Sequence, residues 1–317
     1  MTVLHFLHFL IDGFPVRHFI LPLLAVTLCS LTAAAQEPIQ PPADPQNFHL
    51  FVLAGQSNMA GRGKVEPQDQ QPHPRVLALN KAGEWVPAVD PLHFDKPGIV
   101  GVGLGRSFAQ AYADSHPGVV VGLIPCAVGG SPIDAWQPGG FHPSTKTHPW
   151  DDCVARILPV LESGTLKGVL WHQGESDAKP ELAATYETKL HEIVARFRTT
   201  LEAPCVPFIA GQMGQFEERP WDDSKKMVDK AHQRLPALVA VTAFVSSDDL
   251  KHKGDKVHFD AASYRELGQR YYAAYQQLTY RQQQSPGSTR PLKRVGDVFQ
   301  RLGRLVPRPR KLLRRQR

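Results

Sequence analysis

The chain has 317 residues, of which 42% are hydrophobic and 21% are charged. This composition is typical of globular proteins and excludes wholesale disorder, a collagen-like repeat and a polytopic membrane protein. The formal net charge is +6, but residues 285–317 alone carry eleven basic residues and one acidic residue, a net +10. The other 284 residues therefore sum to −4, and a mildly acidic body gives no reason to expect a nucleic-acid partner.

Residues 1–35 show the pattern of a secretory signal peptide. Arg17 supplies a basic flank, and the uncharged run that follows it is too short to span a bilayer as a helix. Small residues at Ala33 and Ala35 complete a cleavage site. We therefore expect cleavage before Gln36 and export to the periplasm or the extracellular space.

Short apolar runs and helical patterns follow in alternation. The proline-rich residues 36–46 predict a stiff, unstructured spacer. Most apolar runs of residues 47–284 lack period-two alternation, as expected for strands buried on both faces of a parallel sheet. The predicted strands are 49–54, 76–79, 119–124, 168–171, 206–210 and 239–245, and the predicted helices are 104–115, 152–162, 180–201, 222–235 and 260–281. Strands that alternate with helices indicate one α/β domain, a three-layer α/β/α sandwich.

In open α/β sheets, ligand sites lie at the carboxyl ends of the strands, so we searched the residues that follow each strand. Ser57 follows the first strand, between two glycines, where a strand-to-helix turn would expose its hydroxyl as a nucleophile. After the third strand, Gly129 and Gly130 would let backbone N–H groups approach a ligand closely, as an oxyanion hole requires. Ordinary turns remain the alternative for both segments. Cys126 is a second candidate nucleophile, although no basic residue lies near it in sequence and a buried thiol is favoured.

Residues 171–177, Trp-His-Gln-Gly-Glu-Ser-Asp, follow the fourth strand. The side-chain amide of Gln173 could donate to an oxyanion, and Glu175 could act as a general acid or base or could position the loop. We favour the positioning role for Glu175.

A catalytic histidine is expected after the last strand, with a carboxylate that fixes its tautomer. Asp-x-x-His occurs four times: at Asp90/His93, Asp229/His232, Asp249/His252 and Asp255/His258. Only the last two lie between the last strand and the last helix. Asp255/His258 is favoured because His258 directly precedes the start of that helix, whereas Asp249/His252 remains the alternative.

Export would remove Cys29 and leave Cys126, Cys153 and Cys205. One disulfide with one free thiol and three buried thiols are both compatible with this number. No cysteine or histidine pair has zinc spacing, so we expect no structural metal.

These blocks, in this order, resemble the SGNH hydrolase superfamily, and most of all its carbohydrate-esterase branch of sialate O-acetylesterases and acetylxylan esterases. The resemblance covers roughly residues 48–277. Gly-Gln-Ser-Asn-Met at 55–59 matches the nucleophile block, and Val-Gly-Gly-Ser at 128–131 matches the second block. Residues 171–177 match the third block, and Asp-Lys-Val-His at 255–258 matches the terminal block.

The resemblance implies a parallel, flavodoxin-like sheet and a secreted serine esterase that removes O-acetyl groups from a carbohydrate without a cofactor. It assigns the nucleophile to Ser57, the base to His258 and the orienting carboxylate to Asp255. The oxyanion hole would comprise the Ser57 amide, a Gly129 or Gly130 amide and the Gln173 side chain.

Two other functions remain open at this stage: a lipase or thioesterase acting on a lipid acyl chain, and a non-catalytic carbohydrate-binding protein on the same fold. The substrate partner expected is an acetylated carbohydrate. Residues 285–317 are expected to be a disordered tail or a basic amphipathic helix that contacts an anionic surface.

Overall fold

The computed structural model describes residues 37–284, so the signal peptide predicted at 1–35 and the tail at 285–317 lie outside the described residues. The described chain forms an α/β fold around a seven-stranded sheet. The strands are β1 (Phe48–Gly55), β2 (Val76–Leu79), β3 (Trp85–Pro87), β4 (Val120–Pro125), β5 (Thr165–His172), β6 (Phe208–Gly211) and β7 (Thr242–Val245). Within residues 37–284, no helix is long and apolar enough to cross a membrane.

The strand order is β3-β2-β4-β1-β5-β6-β7, with β1 near the centre. Every neighbouring pair is parallel except β2 and β3. Without the β2–β3 hairpin, the remaining order corresponds to 2-1-3-4-5, which is the flavodoxin-like order. All six predicted strands are present, whereas β3 was missed. Three residues that end in Pro87 are too short to show a period, and a proline is tolerated at this edge position.

Six α-helices are described: α1 (Ser57–Ala60), α2 (Gly105–Ser115), α3 (Pro149–Ile157), α4 (Pro180–Thr200), α5 (Asp223–Leu238) and α6 (Ala261–Gln284). The helix predicted at 152–162 is two elements, because a 3₁₀ segment, Leu158–Ser163, replaces its second half. Pro159 lacks an N–H and cannot continue the α-helical ladder. The Asp260 carboxylate caps α6 by accepting the Ser263 N–H (2.7 Å), as predicted for the start of this helix.

Alternate side chains of β1 pack into two separate hydrophobic clusters. Phe48, Leu50 and Val52 belong to a cluster that includes residues of α3, α4 and α5. Phe51 and Leu53 belong to a second cluster that includes residues of α2 and α6. Both faces of the central strand are therefore buried, which explains why its sequence shows no polar alternation.

Part of the segment predicted as a spacer at 36–46 contacts the sheet. The Ile39 N–H donates to the Trp85 carbonyl on β3 (2.7 Å), and a 3₁₀ turn, Pro45–Asn47, is capped by Asp44. This segment covers part of the exposed edge of the sheet.

The three cysteines of the described chain are all free. Cys126 and Cys153 are buried, whereas Cys205 is exposed, so neither a disulfide nor three buried thiols is observed.

Candidate active site

Ser57 is placed by a close approach of β1 and β5. Gly55 has φ +130°, and a Cβ at this position would collide with the His172 carbonyl. The Gln56 N–H donates to that same carbonyl (2.9 Å), which turns the chain sharply into α1. Ser57 is the first residue of α1, so its N–H has no acceptor within the helix. Only glycine fits at position 55. The turn that it allows places Ser57, the candidate nucleophile, at the carboxyl end of the central strand.

The structure brings Ser57, His258 and Asp255 together. His258 Nε2 lies 3.0 Å from Ser57 Oγ, and His258 Nδ1 lies 2.7 Å from Asp255 Oδ2. The second oxygen, Asp255 Oδ1, accepts the backbone N–H groups of His258 (2.8 Å) and Val257 (3.0 Å). A hydroxyl, an imidazole and a carboxylate thus form a continuous chain of hydrogen bonds.

The Asp255 carboxylate is held in its ionised form. Partial burial acts to raise its pKa, but the hydrogen bonds from the His258 backbone, the His258 ring and the Val257 N–H outweigh burial and lower the pKa to about 2. An ionised Asp255 can accept a hydrogen bond from the Nδ1–H of His258, which leaves Nε2 as the acceptor that faces Ser57.

The other Asp-x-x-His histidines bind elsewhere. His252 Nε2 lies 3.2 Å from Glu218 Oε1. His232 contacts the Tyr186 hydroxyl (2.9 Å), and burial lowers its pKa to about 3. His93 is buried, and burial lowers its pKa to about 4. Of the four histidines, His258 is the one in contact with Ser57.

Asn58 was missed by the sequence analysis. Its buried side chain donates to Glu175 Oε1 (2.5 Å) and to the Val257 carbonyl (3.1 Å) and accepts from the Tyr264 hydroxyl (2.6 Å). One amide therefore ties the Ser57 turn to the loop after β5, to the loop of His258 and to α6. The contact with Glu175 is the kind expected of a loop-positioning residue. The position of Asn58 next to Ser57 was the available sequence signal.

Asp95 and Arg62 form a buried ion pair beside the glycine loop. Arg62 Nη2 lies 2.8 Å from Asp95 Oδ2, and the two side chains are 2% and 3% exposed. The same oxygen accepts the Gly129 N–H (2.7 Å). Within residues 37–284 no acceptor is recorded for the Gly130 N–H, at a residue with φ +84°. Of the two predicted glycine donors, the Gly129 N–H is therefore already bound to Asp95, whereas the Gly130 N–H has no acceptor within residues 37–284.

The contacts of Gln173 do not favour its predicted role as an oxyanion donor. Its side chain is fully buried, and its amide nitrogen donates to Asp177 Oδ2, to Gln56 Oε1 (3.1 Å) and to the Ser131 carbonyl (3.2 Å). Its oxygen accepts from the Tyr186 hydroxyl (2.8 Å). With both amide protons directed to protein acceptors, Gln173 joins the loops behind the site rather than offering a free donor.

No candidate metal or thiol centre accompanies this site in the described part of the chain. No group of three His, Cys, Asp or Glu side chains is placed to hold a metal ion. Cys126 is buried beside Cys153, and burial raises the pKa of the Cys153 thiol well above its usual value.

Most of the chain is similar in sequence to known proteins. The profile of the family described as carbohydrate esterase, sialic acid-specific acetylesterase, matches residues 47–277. A probable carbohydrate esterase of Arabidopsis thaliana is 30% identical over 268 residues, 78% of this chain and 96% of the plant protein. A probable 9-O-acetyl-N-acetylneuraminic acid deacetylase of Escherichia coli K12 is 23% identical over 224 residues, 56% of this chain and 66% of that protein. An X-ray structure of an Arabidopsis thaliana protein superposes with a TM-score of 0.64 at 29% identity, over 74% of this chain and 99% of that chain.

Proposed function

The chain belongs to the carbohydrate esterase family of sialic acid-specific acetylesterases, and from this premise we propose that it removes O-acetyl groups from a carbohydrate with Ser57 as its nucleophile. The hydrogen-bonded chain from Ser57 through His258 to Asp255 is the observation that carries the proposal. The family and the curated relatives support an acetyl ester on a sugar as the substrate class.

Acylation begins when His258 Nε2 takes the Ser57 proton and Ser57 Oγ attacks the acetyl carbonyl. Asp255 accepts a hydrogen bond from Nδ1 and stabilises the imidazolium that forms. The imidazolium then donates its proton to the departing sugar hydroxyl, which leaves an acetyl-serine. Water attacks this ester as His258 Nε2 takes a proton from the water, the imidazolium then returns that proton to Ser57 Oγ, and acetic acid departs.

The tetrahedral oxyanion is bound by two backbone amides in this proposal, the Ser57 N–H and the Gly130 N–H. Ser57 supplies a helix-terminal N–H, and Gly130 supplies an N–H without a recorded acceptor in residues 37–284. Asp95 holds the neighbouring Gly129 N–H and acts as a positioning residue for this loop.

The proposal is tested by acetate release from acetylated glycans and from 4-nitrophenyl acetate. We expect Ser57→Ala and His258→Ala each to lower kcat by about 10⁴–10⁶. In the matched histidine variant, His252→Ala, kcat should fall far less, because His252 contacts Glu218 rather than Ser57. Full activity in Ser57→Ala overturns the proposal, and a severe loss in His252→Ala with none in His258→Ala moves the base to the other pair.

Chain-length dependence separates this function from a lipase or thioesterase. An esterase for acetyl groups should prefer 4-nitrophenyl acetate over the octanoate, and the opposite preference would favour the lipase. Sugar binding by a folded protein that releases no acetate would favour the non-catalytic alternative.

Three further proposals accompany this function. The two hydrophobic clusters on alternate residues of β1 support a three-layer α/β/α arrangement. The sequence of residues 1–35 supports export, which N-terminal sequencing of the mature protein would test. The basic residues at 285–317 support contact with an anionic surface, and co-sedimentation with anionic vesicles that survives deletion of this segment would refute it.

A further inference from the structure

A cleft of about 1060 Å³ is lined by residues that take no part in the proposed reaction. Its walls are the loop after β6 (residues 215–221) and the loop after β7 (residues 248–252), with Lys226 of α5. We call it the lateral cleft. Both loops leave the carboxyl edge of the parallel sheet, which is the edge where Ser57 lies. Its volume is at the upper end of the range of about 300–1,000 Å³ for drug-sized ligands, so it has room for more than one sugar ring.

Backbone hydrogen bonds join one wall of the lateral cleft to the segment that carries His258. The Lys253 N–H donates to the His258 carbonyl (3.0 Å), and the Asp260 N–H donates to the Lys251 carbonyl (2.9 Å). The Phe216 ring on the other wall packs against Phe259, with ring centroids 5.8 Å apart. Both walls of the lateral cleft therefore contact the segment that carries His258.

The cleft presents an aromatic ring of fixed orientation. Trp221 is half-buried, and its indole N–H donates to the Gly214 carbonyl (3.1 Å). An indole has a broad apolar face and few rotatable bonds, so it packs on the C–H face of a pyranose at low entropic cost.

Three carboxylates without protein partners line the same cleft as this ring. Glu217, Asp248 and Asp249 line the cleft and make no ion pair or side-chain hydrogen bond within residues 37–284. Ionised carboxylates are acceptors only, and sugar hydroxyls are donors that match them. Trp221 and these carboxylates together form a surface suited to a polyhydroxylated ligand.

The charge of the lateral cleft selects among such ligands. The four carboxylates that line it, including Glu218, outnumber the ammonium groups of Lys226 and Lys251, and one further ammonium group, that of Lys225, lies 6.0 Å from the centroid of the Trp221 ring. Like charges repel, so a chain of acidic sugars is disfavoured, whereas hydroxyl groups of neutral sugars are accepted.

We propose that the lateral cleft is a glycan subsite that binds neutral sugar residues flanking the acetylated one, so that the enzyme prefers oligosaccharides over monosaccharides. This inference rests on the proposed function for the reaction at Ser57, but the cleft can be tested without turnover. Binding energy from a remote part of the substrate then contributes to kcat/KM.

The first test compares acetylated xylotetraose with 4-nitrophenyl acetate, which is too small to reach both sites. The measured quantity is kcat/KM for acetylated xylotetraose divided by kcat/KM for 4-nitrophenyl acetate. We expect Trp221→Ala to lower this ratio about tenfold or more, mainly through a higher KM for the oligosaccharide. Trp221→Phe keeps an aromatic face and should retain most of the ratio. Tyr280→Ala is the matched control, because Tyr280 is an exposed aromatic residue roughly 30 Å along α6 from its first residue.

An unchanged ratio in folded Trp221→Ala overturns the subsite. If that variant does not fold, the ratio is measured in the triple variant Glu217→Gln, Asp248→Asn, Asp249→Asn, which should lower it several-fold and leaves the aromatic wall intact. An unchanged ratio in the triple variant overturns the subsite in the same way.

The second test is calorimetric titration of Ser57→Ala with unacetylated xylotetraose, with an acidic oligogalacturonide as comparison. We expect binding of the neutral chain that Trp221→Ala weakens tenfold or more, and weaker binding of the acidic chain. Wild-type protein that hydrolyses neither ester but binds xylotetraose through Trp221 refutes the proposed function and supports the subsite. Wild-type protein that hydrolyses 4-nitrophenyl acetate while Ser57→Ala binds no xylotetraose refutes the subsite alone.

Discussion

Replacing Asp95 with alanine should destabilise the protein strongly. The change leaves the Arg62 guanidinium in a site where its side chain is 2% exposed, without the carboxylate that lies 2.8 Å away. Breaking a buried pair by removing one partner costs about 3–5 kcal/mol, because a buried charge stays uncompensated. For a domain of this size, about 1 kcal/mol corresponds to roughly 2–4 °C, so we expect Tm to fall by about 6–20 °C.

Activity should fall as well, by a bounded amount. Without Asp95 the Gly129 N–H loses its acceptor, and the loop that carries Gly130 loses the contact that orients it. Complete loss of one oxyanion donor typically costs about 10²–10³ in kcat, so a misoriented Gly130 should cost no more than this. The fall should appear in kcat rather than in KM, because the oxyanion forms only after binding.

Thermal unfolding and the turnover of 4-nitrophenyl acetate at a temperature below the lowered Tm measure the two effects separately. Asp95→Asn keeps an oxygen acceptor for Gly129 and should retain more kcat than the alanine variant. The double variant Arg62→Met, Asp95→Leu removes the buried charge and should regain Tm without regaining kcat. A wild-type Tm in Asp95→Ala refutes the argument from burial, and a lowered Tm with unchanged kcat refutes the positioning role.

Two further predictions concern Gln173 and Asp255. Gln173→Ala should lower the free energy of unfolding by about 2–4 kcal/mol, because the buried Tyr186 hydroxyl and the Asp177 carboxylate each lose a hydrogen-bond partner. A fall in kcat of about 10²–10³ with an unchanged urea midpoint would instead support Gln173 as an oxyanion donor. The pKa of Asp255 is lowered from 3.8 to about 2 in the folded protein, so its carboxylate stabilises the fold fully above pH 3.8 and loses this contribution as pH falls through about 2. The difference in unfolding free energy between wild type and Asp255→Asn should therefore shrink from pH 4 to pH 2 in denaturant titrations, and a difference that grows over that interval would contradict the assignment.

Secondary structure was predictable where a buried element appears in the sequence as a run or a pattern of apolar residues. The apolar run of β1 predicted a strand with two buried faces, and the Asp260 cap predicted the start of α6. By contrast, β3 has only three residues, and its place beside β2 depends on tertiary pairing. The break at Leu158 was legible in principle, since Pro159 follows it directly.

The sequence predicted those residues of the candidate site that directly follow a predicted strand. Position in the chain favoured His258 over His252, and the structure places His258 at Ser57. The part played by Asp95 could not be read from the sequence, because it lies 34 residues from Gly129 and follows no predicted strand. The contacts of Gln173 could not be predicted, because the number of acceptors around a buried amide depends on the three-dimensional structure.

The contact between Ser57 and His258 joins positions 201 residues apart in sequence. Asn58 reinforces this junction by binding the Val257 carbonyl and the Tyr264 hydroxyl, which are 199 and 206 residues away along the chain. During translation, the proposed nucleophile Ser57 leaves the ribosome 201 residues before the proposed base, His258. Nascent chains that stop before His258 should therefore be esterase-silent even if their sheet has formed, and the onset of turnover would report that synthesis has passed His258.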